Sequence, residues 1–262
     1  MPNHNVLIYF LVVFNLLLLT VLIFTVFNLT NISFFSYDAL IIHTTLSTLP
    51  LVKSSIKYLT KAEKNSFKLN DRLKEILVGL ILGDLTGRKK GQARFIFKQG
   101  LIHQEYLNHL FELFKVYTAS GPKVANNAPH TKNGKVYVSI AFATRSLACL
   151  TELYEIFYIN GKKVIPGNLI DLFTPLSLAY LIADDGSWNK VGKYVTLCTD
   201  SFTLVEVEHL ILVLNTKFNL KCYKVKSNQN FRVIIPSYSI AALQNLISEH
   251  IPPMMKYKIG LQ

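Results

Sequence analysis

Cysteine is scarce in this 262-residue chain and badly spaced for structural use. Cys149, Cys198 and Cys222 are odd in number and form no CxxC, which argues against a disulfide framework and against a zinc knuckle. The seven histidines include no HExxH and no close Cys/His cluster; His103 and His109 fall in one helical stretch, an ordinary placement. Acid is short as well, with 16 Asp and Glu against 28 Lys and Arg, for a net charge of +12. Charge of either sign nearly vanishes over residues 1–52, which hold no Lys or Arg and one acid, Asp38. Every basic residue therefore lies beyond position 52, and that region is more basic than the average implies. Such a balance suits a polyanionic partner.

What the first residues do have is apolar length. Residues 5–37 are uncharged, and Val6–Leu29 is long enough to span a bilayer as a helix. The run is too long, and lacks the basic flank, for a signal peptide. Asn-x-Ser/Thr sequons at Asn28 and Asn31 matter only in a secreted protein. The segment is unlike the rest of the chain. Three origins stay open: a membrane anchor, an upstream membrane protein read through in frame, or a piece removed later.

Two apolar runs further on end in acids. Leu178-Ala179-Tyr180-Leu181-Ile182-Ala183-Asp184-Asp185-Gly186 echoes Leu77-Val78-Gly79-Leu80-Ile81-Leu82-Gly83-Asp84-Leu85, about a hundred residues earlier. A carboxylate in the last helical turn faces the negative end of the dipole, at a cost of roughly 0.3–1 kcal/mol. Two packed helices would also bring their terminal acids into repulsion. A divalent cation reverses both effects, and oxygen-only ligands suit Mg²⁺. The bland alternative is two buried helices whose last acids face solvent; it fits either run alone better than the pair.

The surrounding elements repeat with the motifs. Lys53–Asn70 reads as a polar, basic linker, with the domain boundary set after residue 69 and the first half beginning at 70. Asn70 then caps a helix with apolar positions Leu73, Ile76, Leu77, Leu80 and Ile81, and Thr174 caps the second, with Pro175 at its first position. Gly79/Gly83 and Ala179/Ala183 are small residues four apart, which lets two helices approach closely. Strand-like Gln92–Gln99, helical Glu105–Tyr117, strand-like Lys135–Ala143 and helical Ser146–Asn160 follow the first motif. Lys193–Asp200, Thr203–Phe218, the strands Cys222–Lys226 and Phe231–Ile235, and Ser239–His250 follow the second. Each half ends in a Pro-Lys element, one with Lys162, Lys163 and Pro166, the other with Pro252, Lys256 and Lys258.

This is an α+β chain of two pseudo-symmetric αββαββα halves, residues 70–168 and 169–262, after an extra apolar N-terminal helix. Alternation places Lys135, Tyr137 and Ser139 on one strand face, opposite Val136, Val138, Ile140 and Phe142. It places Arg94 and Lys98 opposite Phe95 and Phe97. Lys224 and Lys226 share a face, with Arg232 as a neighbour across the Asn228-Gln229-Asn230 turn. Such basic faces can contact phosphates and base edges in a major groove. A solvated sheet face is the alternative, and a mixed rather than basic surface would be expected of it.

The two nonapeptides, their spacing and the duplicated order resemble the LAGLIDADG homing endonucleases in their single-chain, two-motif form, over roughly residues 70–260. The resemblance implies a saddle of antiparallel sheets on double-stranded DNA, a monomer, and a mitochondrial setting. It implies that Asp84 and Asp185, at the eighth position of each motif, bind catalytic Mg²⁺ or another divalent cation such as Mn²⁺. Asp184, at the seventh position, is then a supporting residue. Lys163 and Lys258 correspond to a basic residue near each reacting phosphate, with Lys256 the neighbouring choice for the second. Leu82, Ala183 and Leu85 depart from the family pattern but leave both eighth-position acids intact. The implied activity is a metal-dependent double-strand cut that spreads an intron; the rival is an RNA-binding maturase that helps its own intron splice. A membrane partner enters only if the leader is retained.

Overall fold

The computed structural model describes residues 58–126 and 134–261. The apolar leader and its bilayer-length run fall outside these residues. Among the described residues no helix is long and apolar enough to cross a membrane.

Chain order is α1 (Lys61–Ser66), α2 (Asp71–Leu82), β1 (Thr86–Lys90), β2 (Gln92–Gly100), α3 (Gln104–Phe114), β3 (Lys123–Asn126), β4 (Val138–Ala143) and α4 (Ala148–Phe157). A short ribbon, β5 (Tyr158–Ile159) with β6 (Lys162–Lys163), and helix α5 (Leu169–Leu172) lead to the second half. There α6 (Pro175–Asp185), β7 (Gly186–Asn189), β8 (Tyr194–Leu197), α7 (Leu204–Phe218), β9 (Tyr223–Ser227), β10 (Asn230–Ile235) and α8 (Ile240–Ile247) repeat the αββαββα order. A 3₁₀ turn, Pro253–Ile259, closes the chain. Both sheets are antiparallel and have one topology, β1-β2-β4-β3 and β7-β8-β10-β9.

Both motif helices start where short-range chemistry places them. The Asn70 side chain accepts from the Leu73 N–H at 2.8 Å, and the Thr174 hydroxyl from the Ser177 N–H at 3.2 Å, with Pro175 next. The stretch read as a plain linker also holds a helix: Thr60 and Glu63 form a reciprocal capping box that starts α1. α2 and α6 pack against each other along the small residues. A Cβ added at Gly79 would lie 2.1 Å from the Ser177 carbonyl oxygen. The Ser177 hydroxyl donates to the Glu75 carbonyl at 2.8 Å, and the Thr174 hydroxyl to the Glu75 carboxylate at 2.6 Å. Around this pair one continuous apolar core runs through both halves, from Phe95 and Phe114 to Leu214 and Val233.

Three details differ from the sequence reading. The strand expected over Lys135–Ala143 begins only at Val138, so Lys135, Val136 and Tyr137 precede it and all three are exposed. Two short strands directly after the motifs, β1 and β7, are not expected from the sequence pattern. β3 is a further strand, over Lys123–Asn126.

Candidate functional site

The helix ends bring the acids together. A Cβ added at Gly83 would lie 2.6 Å from Cβ of Asp184, so α2 and α6 touch at their last turns. Asp84 follows immediately and is exposed; Asp185 ends α6 and is half-buried. Asp184 is turned inward. Its carboxylate accepts from the Tyr106 hydroxyl at 2.9 Å, the Asp84 backbone N–H at 3.2 Å and the Gln99 amide at 3.4 Å. With its oxygens so engaged, Asp184 positions the first motif's acid rather than facing the groove. A groove of about 600 Å³ opens beside Asp84, lined by Thr86, Lys98, Gln99, Ile102 and Tyr137 among others.

Two lysines complete a near-symmetric set. Lys163 Nζ donates to the Gly83 carbonyl at 2.6 Å, and Lys258 Nζ to the Asp184 carbonyl at 2.7 Å. Each ammonium is pinned to the carbonyl of the residue just before an eighth-position acid. Lys258, not the adjacent Lys256, holds that place. Burial lowers the pKa of both lysines, and the nearby aspartates oppose the shift. His103, just before α3, lies within electrostatic reach of Asp84 and Lys258; burial lowers its pKa, Lys258 adds to the shift, and Asp84 opposes it.

Burial, with the Asp84 charge next, pushes Asp185 up to about 7, and the same causes push Asp184 up to about 8. Lys163 and Lys258 lie close but do not cancel this, because their hydrogen bonds go to carbonyls. Among the described residues neither Asp84 nor Asp185 is in an ion pair, and no group of three or more His, Cys, Asp or Glu could hold a metal. Two carboxylates that repel each other at an open groove fit Mg²⁺, which takes one or two protein carboxylates and fills its other positions with water and phosphate oxygens.

A pH dependence follows. A carboxyl whose pKa rises on folding contributes stability that is full below its unfolded value, near 4, and lost as pH rises through its folded value. The metal-free protein is therefore expected to lose stability between about pH 4 and pH 8, the window set by Asp185 and Asp184. Added Mg²⁺ should restore it most at the alkaline end. Thermal melts at pH 5 and pH 8, with Mg²⁺ or with EDTA, measure this; equal Mg²⁺ effects at both pH values would contradict it.

The sheets differ in how they carry the predicted basic residues. Register and burial set the faces: Phe95 and Phe97, Val195 and Leu197, and Val233 and Ile235 point to the helices and are buried. On the open face of the first sheet stand Arg94 and Lys98, as expected. Arg88 is directly opposite Arg94, and Lys123 is opposite Ala141 on the same face. Like charges facing each other across strands are unfavourable without an anion between them. Ser139 falls on this face by register but is buried, its hydroxyl 3.4 Å from the Ala125 carbonyl. In the second sheet Arg232 pairs with Val225, while Lys224 pairs with Val233 and Lys226 with Phe231. Lys224 and Lys226 therefore share the helix-covered side of the sheet, where Lys224 reaches Glu208 on α7. Arg232 is on the opposite, open face, and the expected neighbourhood of the three does not form.

Arg88 and Lys123 on the open face, Tyr106 and Gln99 on the Asp184 carboxylate, and Asp200, whose charge acts on Asp185, have no counterpart among the residues expected from sequence. Arg88 had a usable signal, since the basic run Arg88-Lys89-Lys90 comes just after the first motif, past Thr86 and Gly87.

A profile of the LAGLIDADG DNA endonuclease family matches residues 74–243. The chain is 35% identical over 200 residues to cytochrome b mRNA maturase bI2 of Debaryomyces hansenii, covering 73% of this chain and 75% of that one. It is 34% identical over 193 residues to the probable intron-encoded endonuclease 1 of Wickerhamomyces canadensis, covering 71% and 82%. Its fold matches the structure of the homing endonuclease I-WcaI bound to its DNA recognition sequence, with TM-score 0.70 and 30% identity over 75% of this chain and 89% of that one. With paired motif helices, twin sheets of one topology and these relatives, the chain belongs to the LAGLIDADG DNA endonuclease family.

Proposed function

We propose that this protein is an intron-encoded, site-specific endonuclease of mitochondrial type. It acts as a monomer to make a double-strand cut at a long asymmetric DNA site, which promotes spread of its intron. The observation that carries this reading is the doubled carboxylate–lysine arrangement, Asp84 with Lys163 and Asp185 with Lys258, where two helices meet. RNA binding alone requires no such arrangement.

Asp84 and Asp185 are the residues that would hold Mg²⁺ or Mn²⁺. When bound, the cation supplies Lewis acidity toward a phosphate oxygen and a more acidic water. The chain does the positioning. Tyr106 and Gln99 fix Asp184, whose carboxylate in turn fixes the Asp84 backbone. The two pinned ammonium groups offset negative charge that builds on the reacting phosphates. Arg88, Arg94, Lys98 and Lys123 on one open face, with Arg232 on the other, engage the duplex, and Lys135 and Tyr137 extend the first surface at its edge. If each half covers about one helical turn, the site is roughly 20 bp long.

The name of the D. hansenii relative supports a second reading, an RNA-binding intron maturase. The discriminating experiment incubates the protein and Mg²⁺ with DNA spanning the uninterrupted host gene. Cleavage at the intron insertion point is expected; no cut, with intron RNA still bound, would favour the maturase. Lys163→Met and Lys258→Met should each slow strand cleavage on the order of 100-fold while DNA affinity changes little. Single-turnover nicking assays would show it, and near-normal cutting by both variants would remove the lysines from the reaction.

A further inference from the structure

The two sheets share a topology but not a charge pattern beside the acids. Thr86, two residues after Asp84, pairs with Ile96; Ser187, two residues after Asp185, pairs with Thr196. Two positions on, Lys98 and Cys198 are therefore equivalent. Lys98 pairs with Ala141, and the step beyond Val233↔Leu197 sets Cys198 beside Arg232. At one height above the acids, the first half thus carries a lysine on β2 and the second half an arginine on β10. Gly100 occupies the position that Asp200 holds in the second half.

Arg232 is clamped. Its Nε donates to one Asp200 oxygen at 3.0 Å and its Nη2 to the other at 2.6 Å. About a third of each side chain stays exposed, at 39% and 34%. Asp200 takes the side edge of the guanidinium and leaves the end edge, with hydrogens on both Nη1 and Nη2. That end fork matches the O6 and N7 acceptors of guanine in the major groove. The carboxylate both fixes the rotamer before binding and cancels the arginine's charge. A neutralised pair gains little from a phosphate, which Asp200 would repel, but keeps two aimed donors for an uncharged base edge. Lys98 has no fork: an ammonium is a point charge with rotatable donors.

We propose that Arg232, with Asp200 as its positioning residue, reads one guanine in the half-site under the second sheet, close to the cleavage centre. The pseudo-equivalent position under the first sheet is read less stringently, so the two half-sites differ there. This rests on the DNA endonuclease reading.

The test is selection of a randomised duplex pool by the full chain without divalent cation, followed by sequencing. The wild type should demand guanine at one position of one half-site. Asp200→Asn and Arg232→Lys should each relax that demand about tenfold and leave other positions unchanged. Melting temperatures close to wild type would show that the change is not a folding defect. A guanine preference untouched by D200N overturns the inference. So does an R232K variant whose affinity changes by the same factor for all sequences, which marks a phosphate contact. A wild type without any sequence preference would overturn the endonuclease reading itself, and this inference with it.

Discussion

On the proposed assignment, Asp84→Asn and Asp185→Asn should each reduce double-strand cutting by about a thousandfold or more, since each would remove a charged oxygen ligand worth several kcal/mol to a metal-assisted step. DNA affinity should hold or rise slightly, because each change removes a negative charge from a basic groove. Stability should move the other way from activity. Asp185 is burdened by burial and by the Asp84 charge, so its replacement by a neutral isostere relieves both in the metal-free protein. The D185N variant should therefore melt higher than wild type in EDTA at pH 8, where the wild-type carboxyl is mostly ionised, and gain less from Mg²⁺. Gel-shift assays without metal, cleavage with it and paired melts separate these effects. Cutting at a wild-type rate by either variant would refute the assignment of the acids.

The parts of this site legible in the sequence are those fixed over short distances or carried by a repeated pattern. Asn70 and Thr174 cap their helices through bonds to residues three positions on, so their chemistry is local. Gly79 and Gly83 were readable as contact residues because four-residue spacing puts them on one helix face. The two lysine placements rest on the family resemblance, matched segment by segment. In the second half it is Lys258, not Lys256, whose ammonium reaches the Asp184 carbonyl.

What escaped depends on register and on distant partners. β1 is Thr-Gly-Arg-Lys-Lys, a strand without apolar alternation, and it exists because each residue pairs with one on β2. The face carrying Lys224 and Lys226 is decided by which side α7 covers, and Val225 and Phe231, each half-buried, give no strong hint. Alternation shows that two residues share a face but not which face meets the core. The resemblance implies a supporting role for Asp184, but the partners that hold it, Tyr106 and Gln99, lie 78 and 85 residues away and carry no signal in the sequence.

Gly79→Ala tests the helix junction itself. The added Cβ would lie 2.1 Å from the Ser177 carbonyl oxygen and 2.9 Å from its carbon, both backbone atoms that cannot rotate aside. The helices must separate, which weakens the Ser177–Glu75 hydrogen bond and loosens a core that is closely packed on both sides. Overpacking of this kind costs about 1–3 kcal/mol where side chains yield, so about 3 kcal/mol or more is expected where only backbone can move. Any separation also shifts Asp84 relative to Asp185, because Asp84 follows the end of α2 and Asp185 ends α6. Cleavage should therefore fall further than the loss of folded protein explains, even at temperatures where the variant is fully folded. Gly167→Ala, with nothing within 4 Å of its new methyl, is the matched control and should leave both properties near wild type. Urea denaturation and single-turnover cleavage of the two variants give the comparison. A G79A protein as stable and active as G167A would mean that α2 and α6 do not meet at this glycine, and the shared site at their ends would lose its support.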